Sequence, residues 1–295
     1  MNNFSRTISI FFQNKYQNPY KATAKHILWQ FRKLLNNFPC DLYVNSLKVR
    51  IKDLSIANSS GALINGVGYY DPNNMYFLER IFSNNLYSTF FDVGANIGFY
   101  SLIAAKSSCS KIFAFEPHPY TYQLMNENIQ INNFSNKIKS QPYALGCIDG
   151  IVSYTDFPGS SLNHVIENPA AKTIEVKITR GDSFCNKYLL VPEVIKIDVE
   201  GYENEVIMGF GSLIEKAHIL LIECNKVQEI ANYLCTKKGF YGPYKIDYRI
   251  KVFTKSNIHK EDWIFISSQA KANLSNIGFR FEEGNINTYD RNLRK

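Results

Sequence analysis

The sequence predicts an α/β protein with a doubly wound, mostly parallel sheet, on the basis of three observations. A short apolar strand at residues 89–93 meets a glycine-rich turn at 94–98, and the turn passes directly into a helix-forming segment. Strand and helix patterns then alternate at the spacing of βαβ units up to Gly146, and again from Val194. In such sheets a glycine turn brings backbone N–H groups up to a ligand. We therefore expect a binding site where these strands end.

The formal charge of +7 is unevenly spread along the 295 residues. Residues 1–55 contain nine Lys or Arg against two Asp, so residues 56–295 are formally neutral. This larger part of the chain therefore lacks the excess of basic residues that is typical of nucleic-acid binding. The six cysteines lack the spacing of a disulfide framework or a zinc site. No segment approaches the ~20 apolar residues of a membrane span, and the first apolar run is too short for a signal peptide. We expect a cytoplasmic protein.

Three parts are predicted along the chain: a basic N-terminal extension (1–55), an α/β domain (56–267) and a polar, poorly ordered C-terminal tail (268–295). The extension combines a helix after Pro19 with alternating residues at 41–53 that suggest a hairpin. One stripe of the helix is apolar, and the other side is basic with one Trp. The stripe consists of Ile27, Leu28, Phe31, Leu34, Leu35 and Phe38.

This helix has two interpretations. It could dock on the domain and leave its basic side in solvent, or it could lie on the inner face of an anionic membrane. The amphipathic pattern alone does not choose between them.

The α/β domain is predicted element by element from apolar periodicity and turn residues. Residues 56–72 are rich in Gly and Asn and indicate a loop. The predicted strands are 89–93, 111–115, 137–145, 194–199, 218–223, 241–248 and 263–267. The predicted helices are 75–86, 99–105, a segment closing near 132, 202–213 and 226–238.

Residues 151–182 interrupt the alternation with two strand-like segments around a polar stretch that contains Ser160, Ser161 and Asn163. Insertions on a rigid scaffold often carry recognition residues, so we predict that these three bind the substrate. A hairpin without a role in recognition is the alternative.

An acidic residue, Glu116, ends the second strand about 20 positions after the glycine turn, which is the usual place for a partner of ribose hydroxyls. A second unusual feature is the strand at 194–199, because Lys196, Asp198 and Glu200 place charges at alternate positions. Unpaired buried charges are unfavourable. Either they pair structurally, or they gather at the carboxyl end of the strand where such sheets bind ligands.

Three segments resemble the motifs of FkbM-family methyltransferases in order and spacing: residues 92–98, 115–119 and 195–203. The resemblance covers roughly residues 75–267. It implies a seven-stranded Rossmann-like domain and S-adenosylmethionine (SAM) as cofactor. It also implies O-methylation of a hydroxyl of a sugar, in a surface glycan such as lipopolysaccharide, or of a related natural product. The substrate is then a small-molecule or lipid-linked glycan.

The resemblance also implies roles for single residues. The turn would hold the methionine part of SAM through Asp92, Gly94, Ala95, Asn96 and Gly98. Glu116 and Pro117 would lie at the ribose. Ala144, Leu145 and Gly146 would flank the adenine, whereas Asp149 is a doubtful adenine ligand because Cys147 follows the glycine.

For catalysis we predict Asp198 and Glu200 as base or as orienting groups, with Asp198 also near the cofactor. Glu223, at the tip of the next strand, is a third candidate, and Lys196 would keep Asp198 ionised. His118 is an alternative base. The carboxylates could also bind Mg²⁺, although we do not favour a required metal.

Two other functions remain open. An NAD-dependent oxidoreductase would suit Glu116, but residues 94–98 lack the G-x-G-x-x-G pattern that approaches a pyrophosphate. A scaffold that keeps the fold without turnover is the second alternative, and the intact charged strand argues against it.

Overall fold

The computed structural model describes residue 12 and residues 18–44, 46–56, 64–65, 71–166, 172–224, 227–255 and 261–282. The strands of this part of the chain are β1 (Cys40–Val44), β2 (Leu47–Ile51), β3 (Thr89–Val93), β4 (Lys111–Phe115), β5 (Ile138–Gln141), β6 (Ala144–Gly146), β7 (Gly150–Thr155), β8 (Val165–Ile166), β9 (Thr173–Arg180), β10 (Val194–Ile197), β11 (Ile219–Cys224), β12 (Tyr241–Asp247), β13 (Val252–Lys255), β14 (Glu261–Ile266) and β15 (Arg280–Glu282).

The helices described are α1 (Pro19–Leu34), α2 (Leu54–Ile56), α3 (Pro72–Ser83), α4 (Phe99–Lys106), α5 (Pro119–Ile131), α6 (Gly181–Tyr188), α7 (Glu203–Gly209), α8 (Val227–Ala231) and α9 (Ser268–Asn276). A 3₁₀ segment (Gly211–Lys216) follows α7, and a π-helical segment (Asn232–Lys237) continues α8.

The main sheet has the order β15-β13-β12-β14-β11-β10-β3-β4-β5 among the described strands. Strands β5, β4, β3, β10 and β11 are parallel, and β14 and β12 then alternate in direction. These seven strands confirm the predicted doubly wound, mostly parallel α/β fold. Two further strands, β13 and β15, extend the edge beyond β12.

The sheet is covered on both faces, which explains its apolar strands. Successive residues of β3 point to opposite sides: Phe90 belongs to one hydrophobic cluster and Phe91 to the other. Both side chains are fully buried. A strand packed on both faces needs apolar side chains at nearly every position, as the sequence 89–93 shows.

The third predicted strand, 137–145, is wrong as a single element. The structure divides it into β5 in the main sheet and β6 in a separate four-stranded sheet of order β6-β9-β7-β8. Pro142 lies between them and has no N–H to donate to a strand ladder. The chain therefore leaves the main sheet at this point, and the insertion at 151–182 supplies β9, which pairs with β6.

The C-terminal prediction is also wrong for residues 268–282. Ser267 caps α9 by accepting a hydrogen bond from the N–H of Ala270 at 3.1 Å. Leu274 and Phe279 are buried, and β15 pairs with β13. The buried apolar side chains of this polar segment are Ala270, Leu274 and Phe279, and its composition does not reveal that they face the core. Residues 283–295 lie outside the described residues.

The N-terminal extension contains the predicted helix and hairpin, but the helix docks by the side opposite to its apolar stripe. Its buried side chains are Ala22, His26 and Trp29, and Trp29 packs edge-on against Phe38 at 5.8 Å between ring centres. The stripe residues from Ile27 to Leu35 are exposed. The large Trp side chain thus fills the contact with the body. Most of the predicted loop at 56–72 lies outside the described residues.

Side chains of α5 and of the residue that caps its C-terminus fix the hairpin to the domain. The side-chain oxygen of Asn132 accepts the N–H of Lys48 at 2.9 Å, and that of Asn128 accepts the N–H of Arg50 at 2.7 Å. Both bonds lie at the C-terminal end of α5, so they hold the extension on the same helix that begins three residues after Glu116.

Within the described residues, no helix combines the length and the apolar character that crossing a bilayer requires. The six cysteines form no disulfide with one another.

Candidate functional site

A cavity of about 250 Å³ opens at the carboxyl ends of β3, β4, β10 and β11. The glycine turn forms its floor. The N–H groups of Gly94 and Ala95 both donate to the carbonyl oxygen of Phe115, at 3.0 and 2.9 Å, so the turn is tied to the end of β4. Gly94 and Gly98 have φ of +78° and +85°, which residues with side chains rarely adopt. The turn therefore presents backbone to the cavity.

Glu116 lies at the cavity wall with a fixed orientation. One carboxylate oxygen accepts the N–H of Asn96 and the other accepts the N–H of His118, both at 3.0 Å. Burial raises the pKa of Glu116 to about 7, although these two backbone donors act in the opposite direction. The carboxylate is held by the turn on one side and by the start of α5 on the other.

Asp92 lies beneath the turn, outside the cavity lining. One carboxylate oxygen accepts the N–H and the hydroxyl of Ser101, at 3.0 and 2.7 Å, which fixes the first turn of α4. For the other oxygen, no hydrogen-bond partner exists among the described residues. Burial raises the pKa of Asp92, and the neighbouring Lys196 opposes this. Asp92 thus supports the turn from below.

Lys196 and Asp198 form an ion pair next to the turn, with 2.8 Å between Nζ and Oδ2. Lys196 is buried, and its Nζ also lies 4.7 Å from the centre of the Tyr100 ring. Burial would lower the pKa of Lys196, but Asp198 and Asp92 outweigh it and raise the pKa above its ordinary value. The ammonium therefore stays charged. Both interpretations of the charged strand apply, because Asp198 pairs with Lys196 and also lines the cavity.

Glu200 and Glu223 form, together with Asp198, an acidic wall of the cavity. Strand β10 ends at Ile197, and Glu200 has a φ of +55°, so its position follows from a turn and not from strand alternation. Desolvation and the charge of Asp198 raise the pKa of Glu200. The same causes raise the pKa of Glu223 to about 7, even though its side chain is exposed in the open cavity.

Two further carboxylates lie close to the acidic wall. Asp262 is the cross-strand partner of Glu223 on β14, and Asp71 accepts a hydrogen bond from the hydroxyl of Tyr100. Burial raises the pKa of both, and for Asp262 the charges of Asp71 and Glu223 raise it further. After desolvation, the charges of the neighbouring carboxylates are the next cause of the raised pKa of Glu223, and Lys196 opposes them.

His118, the alternative base, does not line the cavity. Its ring is buried, and Nε2 lies 3.2 Å from Oδ1 of Asp156. It begins α5 and donates its backbone N–H to Glu116. In this structure His118 contributes to the site through its backbone.

The predicted adenine segment is divided between the cavity and the core. Ala144 and Leu145 line the cavity. Gly146 does not, and a Cβ there would lie 2.6 Å from Ile178, so the glycine serves packing. Asp149 accepts hydrogen bonds from Thr179, Arg180 and Ser183 and lies away from this cavity. These contacts explain Asp149 without a ligand.

Ser160, Ser161 and Asn163 all lie on the cavity wall, on the loop between β7 and β8. The amide of Asn163 is buried, accepts from the N–H of Phe157 at 3.0 Å and donates to the carbonyl of the same residue at 2.8 Å. Asn163 therefore shapes the loop, whereas the exposed Ser161 can face a bound molecule.

The structure thus brings most of the predicted site residues to one cavity. Those on its wall are Gly94, Ala95, Asn96, Glu116, Pro117, Ala144, Leu145, Ser160, Ser161, Asn163, Asp198, Glu200 and Glu223. Those behind it are Asp92, Gly98, His118, Gly146 and Lys196.

The sequence analysis missed the aromatic part of the wall, which consists of Phe99, Phe115, Tyr143, Tyr154 and Tyr202. Two of these have a signal in the sequence: Phe115 precedes Glu116, and Tyr202 lies in the charged segment. Tyr143 follows Pro142, which marks the break between β5 and β6.

Across the part of the chain that the structure describes, no group of three or more His, Cys, Asp or Glu side chains is arranged to hold a metal ion. Of the wall carboxylates, Asp198 is engaged with Lys196.

Comparison with known proteins gives matches to methyltransferases. Residues 92–241 match the sequence model of the Methyltransferase FkbM domain. Hexuronic acid methyltransferase AglP of Haloferax volcanii is 30% identical over 134 residues, which cover 45% of this chain and 54% of that protein. Methyltransferase 1 of Beauveria bassiana is 29% identical over 195 residues, covering 58% of this chain and 74% of that protein. The match to the Haloferax protein thus spans about half of its length.

Among solved structures, a crystal structure of an FkbM methyltransferase from Methylobacillus flagellatus KT aligns with a TM-score of 0.43 and 16% identity. The alignment covers 72% of this chain and 52% of that one. The domain match takes in the turn, Glu116 and the whole acidic wall, and it covers half of the 295 residues. The chain therefore belongs to the FkbM methyltransferase family.

Proposed function

We propose that this protein is a SAM-dependent O-methyltransferase whose acceptor is a hydroxyl of a sugar, in a surface glycan or a related natural product. The acidic cavity carries the proposal: its described lining contains Glu116, Asp198, Glu200 and Glu223 and no Lys, Arg or His. Such a wall attracts a cationic sulfonium and repels the pyrophosphate of a dinucleotide. Family membership and a relative named for hexuronic acid methylation support the same reaction class.

The wall fits SAM in two respects. Each oxygen of Glu116 accepts one backbone N–H and keeps a further lone pair, so the carboxylate can accept both ribose hydroxyls. Phe115, Tyr143 and Leu145 offer an aromatic and apolar surface for the adenine. When bound, SAM supplies a methyl group on a positively charged sulfur.

The reaction requires the acceptor oxygen to lie in line with the methyl–sulfur bond and to lose its proton. Alignment of this kind contributes roughly 7–11 kcal/mol in favourable cases. Glu223 is our candidate for the base, because a base acts best when its pKa is near the working pH and that of Glu223 is about 7. Asp198, already paired with Lys196, would orient the acceptor by accepting a hydrogen bond.

The same wall favours a hydroxyl over a carboxyl acceptor. A hexuronic acid offers both groups, but its carboxylate would approach Asp198, Glu200 and Glu223 with no described cation on the lining to receive it. A neutral hydroxyl can donate its proton to these carboxylates. The serine loop at Ser160 and Ser161 would contact other hydroxyls of the acceptor.

The test is incubation of the purified protein with methyl-labelled SAM and a panel of hexoses, hexuronic acids and their glycosides, followed by mild base treatment of the product. We expect a label that survives base, since a methyl ether is stable and a methyl ester is hydrolysed. A base-labile product would still show methyl transfer, but it would contradict the proposal that the acceptor is a hydroxyl. Bound cofactor with no labelled product on any acceptor would support a non-catalytic protein.

A further inference from the structure

Helix α1 carries an apolar face that the described residues leave uncovered. The side chains of this face are exposed by 42% (Ile27) to 80% (Leu34) of their surface. The face consists of Tyr20, Ile27, Leu28, Phe31, Leu34 and, just past the helix, Leu35. The ring of Phe12, itself exposed, packs edge-on against Tyr20 and adds to the apolar area. At the helical period of 3.6 residues, these side chains share one side of the helix.

The opposite side of α1 contacts the body of the protein, so the exposed apolar face is not needed to hold the helix in position. Ala22, His26 and Trp29 are buried against the body, and the side-chain oxygen of Asn18 caps the first turn. The Asn65 side-chain amide also donates to the carbonyl oxygen of Lys25 at 3.2 Å. Folding therefore does not require the outward apolar side chains, and their exposure calls for another contact.

The charged residues of α1 indicate what kind of surface could cover the apolar face. Helix α1 contains Lys21, Lys25, Arg32 and Lys33 and no Asp or Glu. By the helical period, Lys21, Lys25 and Arg32 border the apolar face on one side, whereas Thr23 and Gln30 border it on the other. An apolar face with a cationic border matches a surface that is apolar inside and anionic outside.

We propose that this face of α1 binds the surface of an anionic lipid bilayer, with the apolar side chains inserted at the level of the acyl-chain boundary and the cations at the lipid phosphates. A second copy of the chain is a poorer occupant, because two such helices would bring eight cations together and neither helix has a carboxylate to pair with them. The helix would lie on the bilayer, since no described helix can cross one.

The experiment is flotation of the full chain with vesicles of phosphatidylcholine alone and of phosphatidylcholine mixed with phosphatidylglycerol. We expect binding to the mixed vesicles, much weaker binding to the neutral ones, and a decrease with added salt. The double variant Leu28→Ser/Phe31→Ser should weaken binding by at least about tenfold, because it removes two inserted side chains. Its matched control is Ile250→Ser, which changes an exposed apolar residue outside α1.

The charge variant is Lys21→Gln/Lys25→Gln/Arg32→Gln. Each cation near an anionic surface is worth about a factor of five, so we expect a loss on the order of a hundredfold. The matched control changes three exposed lysines of the body to Gln: Lys139, Lys216 and Lys237. Thermal melting checks that every variant is folded.

Three outcomes would overturn the proposal: no binding of the wild type to the anionic vesicles, equal losses in the variants and their controls, or a dimer in light scattering that Leu28→Ser/Phe31→Ser dissociates. The last would assign the face to a second copy of the chain. None of these measurements depends on methyl transfer.

Discussion

Gly94 and Asp198 touch through their backbones. A Cβ on residue 94 would lie 1.8 Å from the carbonyl oxygen of Asp198, and the N–H of Asp198 donates to Val93 at 3.0 Å. The glycine turn and the acidic wall, which lie about a hundred residues apart in the sequence, are therefore one rigid unit. Any side chain at residue 94 would push the turn away from the Asp198 backbone.

This contact predicts that Gly94→Ala destabilises the protein by about 3 kcal/mol, the sum of a left-handed φ and a steric overlap. The matched control is Gly239→Ala, since Gly239 has a similar φ of +74° and nothing within 4 Å of its Cβ. It should lose only about 1 kcal/mol. Urea unfolding measures both, and equal losses would mean that the overlap relaxes freely.

Lys196 is the cation on which the buried carboxylates depend. Lys196→Met should destabilise the protein by roughly 3–5 kcal/mol, because Asp92 and Asp198 lose their partner. The loss should shrink at acidic pH, where protonation neutralises the carboxylates. The control variant Lys106→Met removes the ion pair with Glu79, which is more exposed than the pair of Lys196. It should lower the free energy of unfolding by at most about 1 kcal/mol. Similar losses in the two variants at all pH values would contradict the role of Lys196.

Glu116 is predicted to favour cofactor binding at the expense of stability. Its pKa is raised to about 7 in the folded protein, so the folded state binds a proton more tightly than the unfolded chain between about pH 4.5 and 7. Stability therefore falls as the pH rises through this range, and Glu116→Gln, which does not titrate, should remove that fall.

The same variant should bind S-adenosylhomocysteine about tenfold to a hundredfold more weakly, because an amide accepts the ribose hydroxyls less well than a carboxylate. Glu229→Gln, an exposed carboxylate on α8, is the control for both measurements. A variant that keeps the wild-type pH dependence of stability and loses no affinity would remove Glu116 from the cofactor site.

For Glu223 we expect an effect on turnover alone. Glu223→Gln should lower kcat by about 10²-fold to 10⁴-fold and leave the affinity for S-adenosylhomocysteine nearly unchanged. In the wild type, kcat should rise with pH through about 7 as the base loses its proton, and the variant should lack this rise. Asp198→Asn should also lower kcat more than cofactor affinity. An unchanged pH profile in Glu223→Gln would exclude Glu223 as the base.

Much of this site could be predicted because its determinants are local. The turn at 94–98, the position of Glu116 at the end of β4 and the charged segment after β10 each follow from short patterns of glycine, apolar and acidic residues. Parallel strands end at one edge of a sheet, so their tips meet whatever the loops between them do.

The remaining features depend on contacts between distant segments. Asp71 precedes α3, yet it meets Tyr100 and adds to the charge around Glu223, which no local pattern reveals. The docking side of α1 was equally hidden, because both sides of that helix offer apolar area and the buried side also contains His26 beside Ala22 and Trp29. Asp92 is likewise part of the glycine motif, from which a contact with SAM was expected, but its carboxylate accepts a hydrogen bond from Ser101 behind the cavity.

The central claim is that the acidic cavity binds SAM and its product. Isothermal titration of the purified protein with S-adenosylhomocysteine, with NAD as the control ligand, tests it most directly. We predict micromolar or tighter binding of S-adenosylhomocysteine, lost in Glu116→Ala, and no heat from NAD. Binding of NAD, or no binding of S-adenosylhomocysteine by folded protein, would contradict the account.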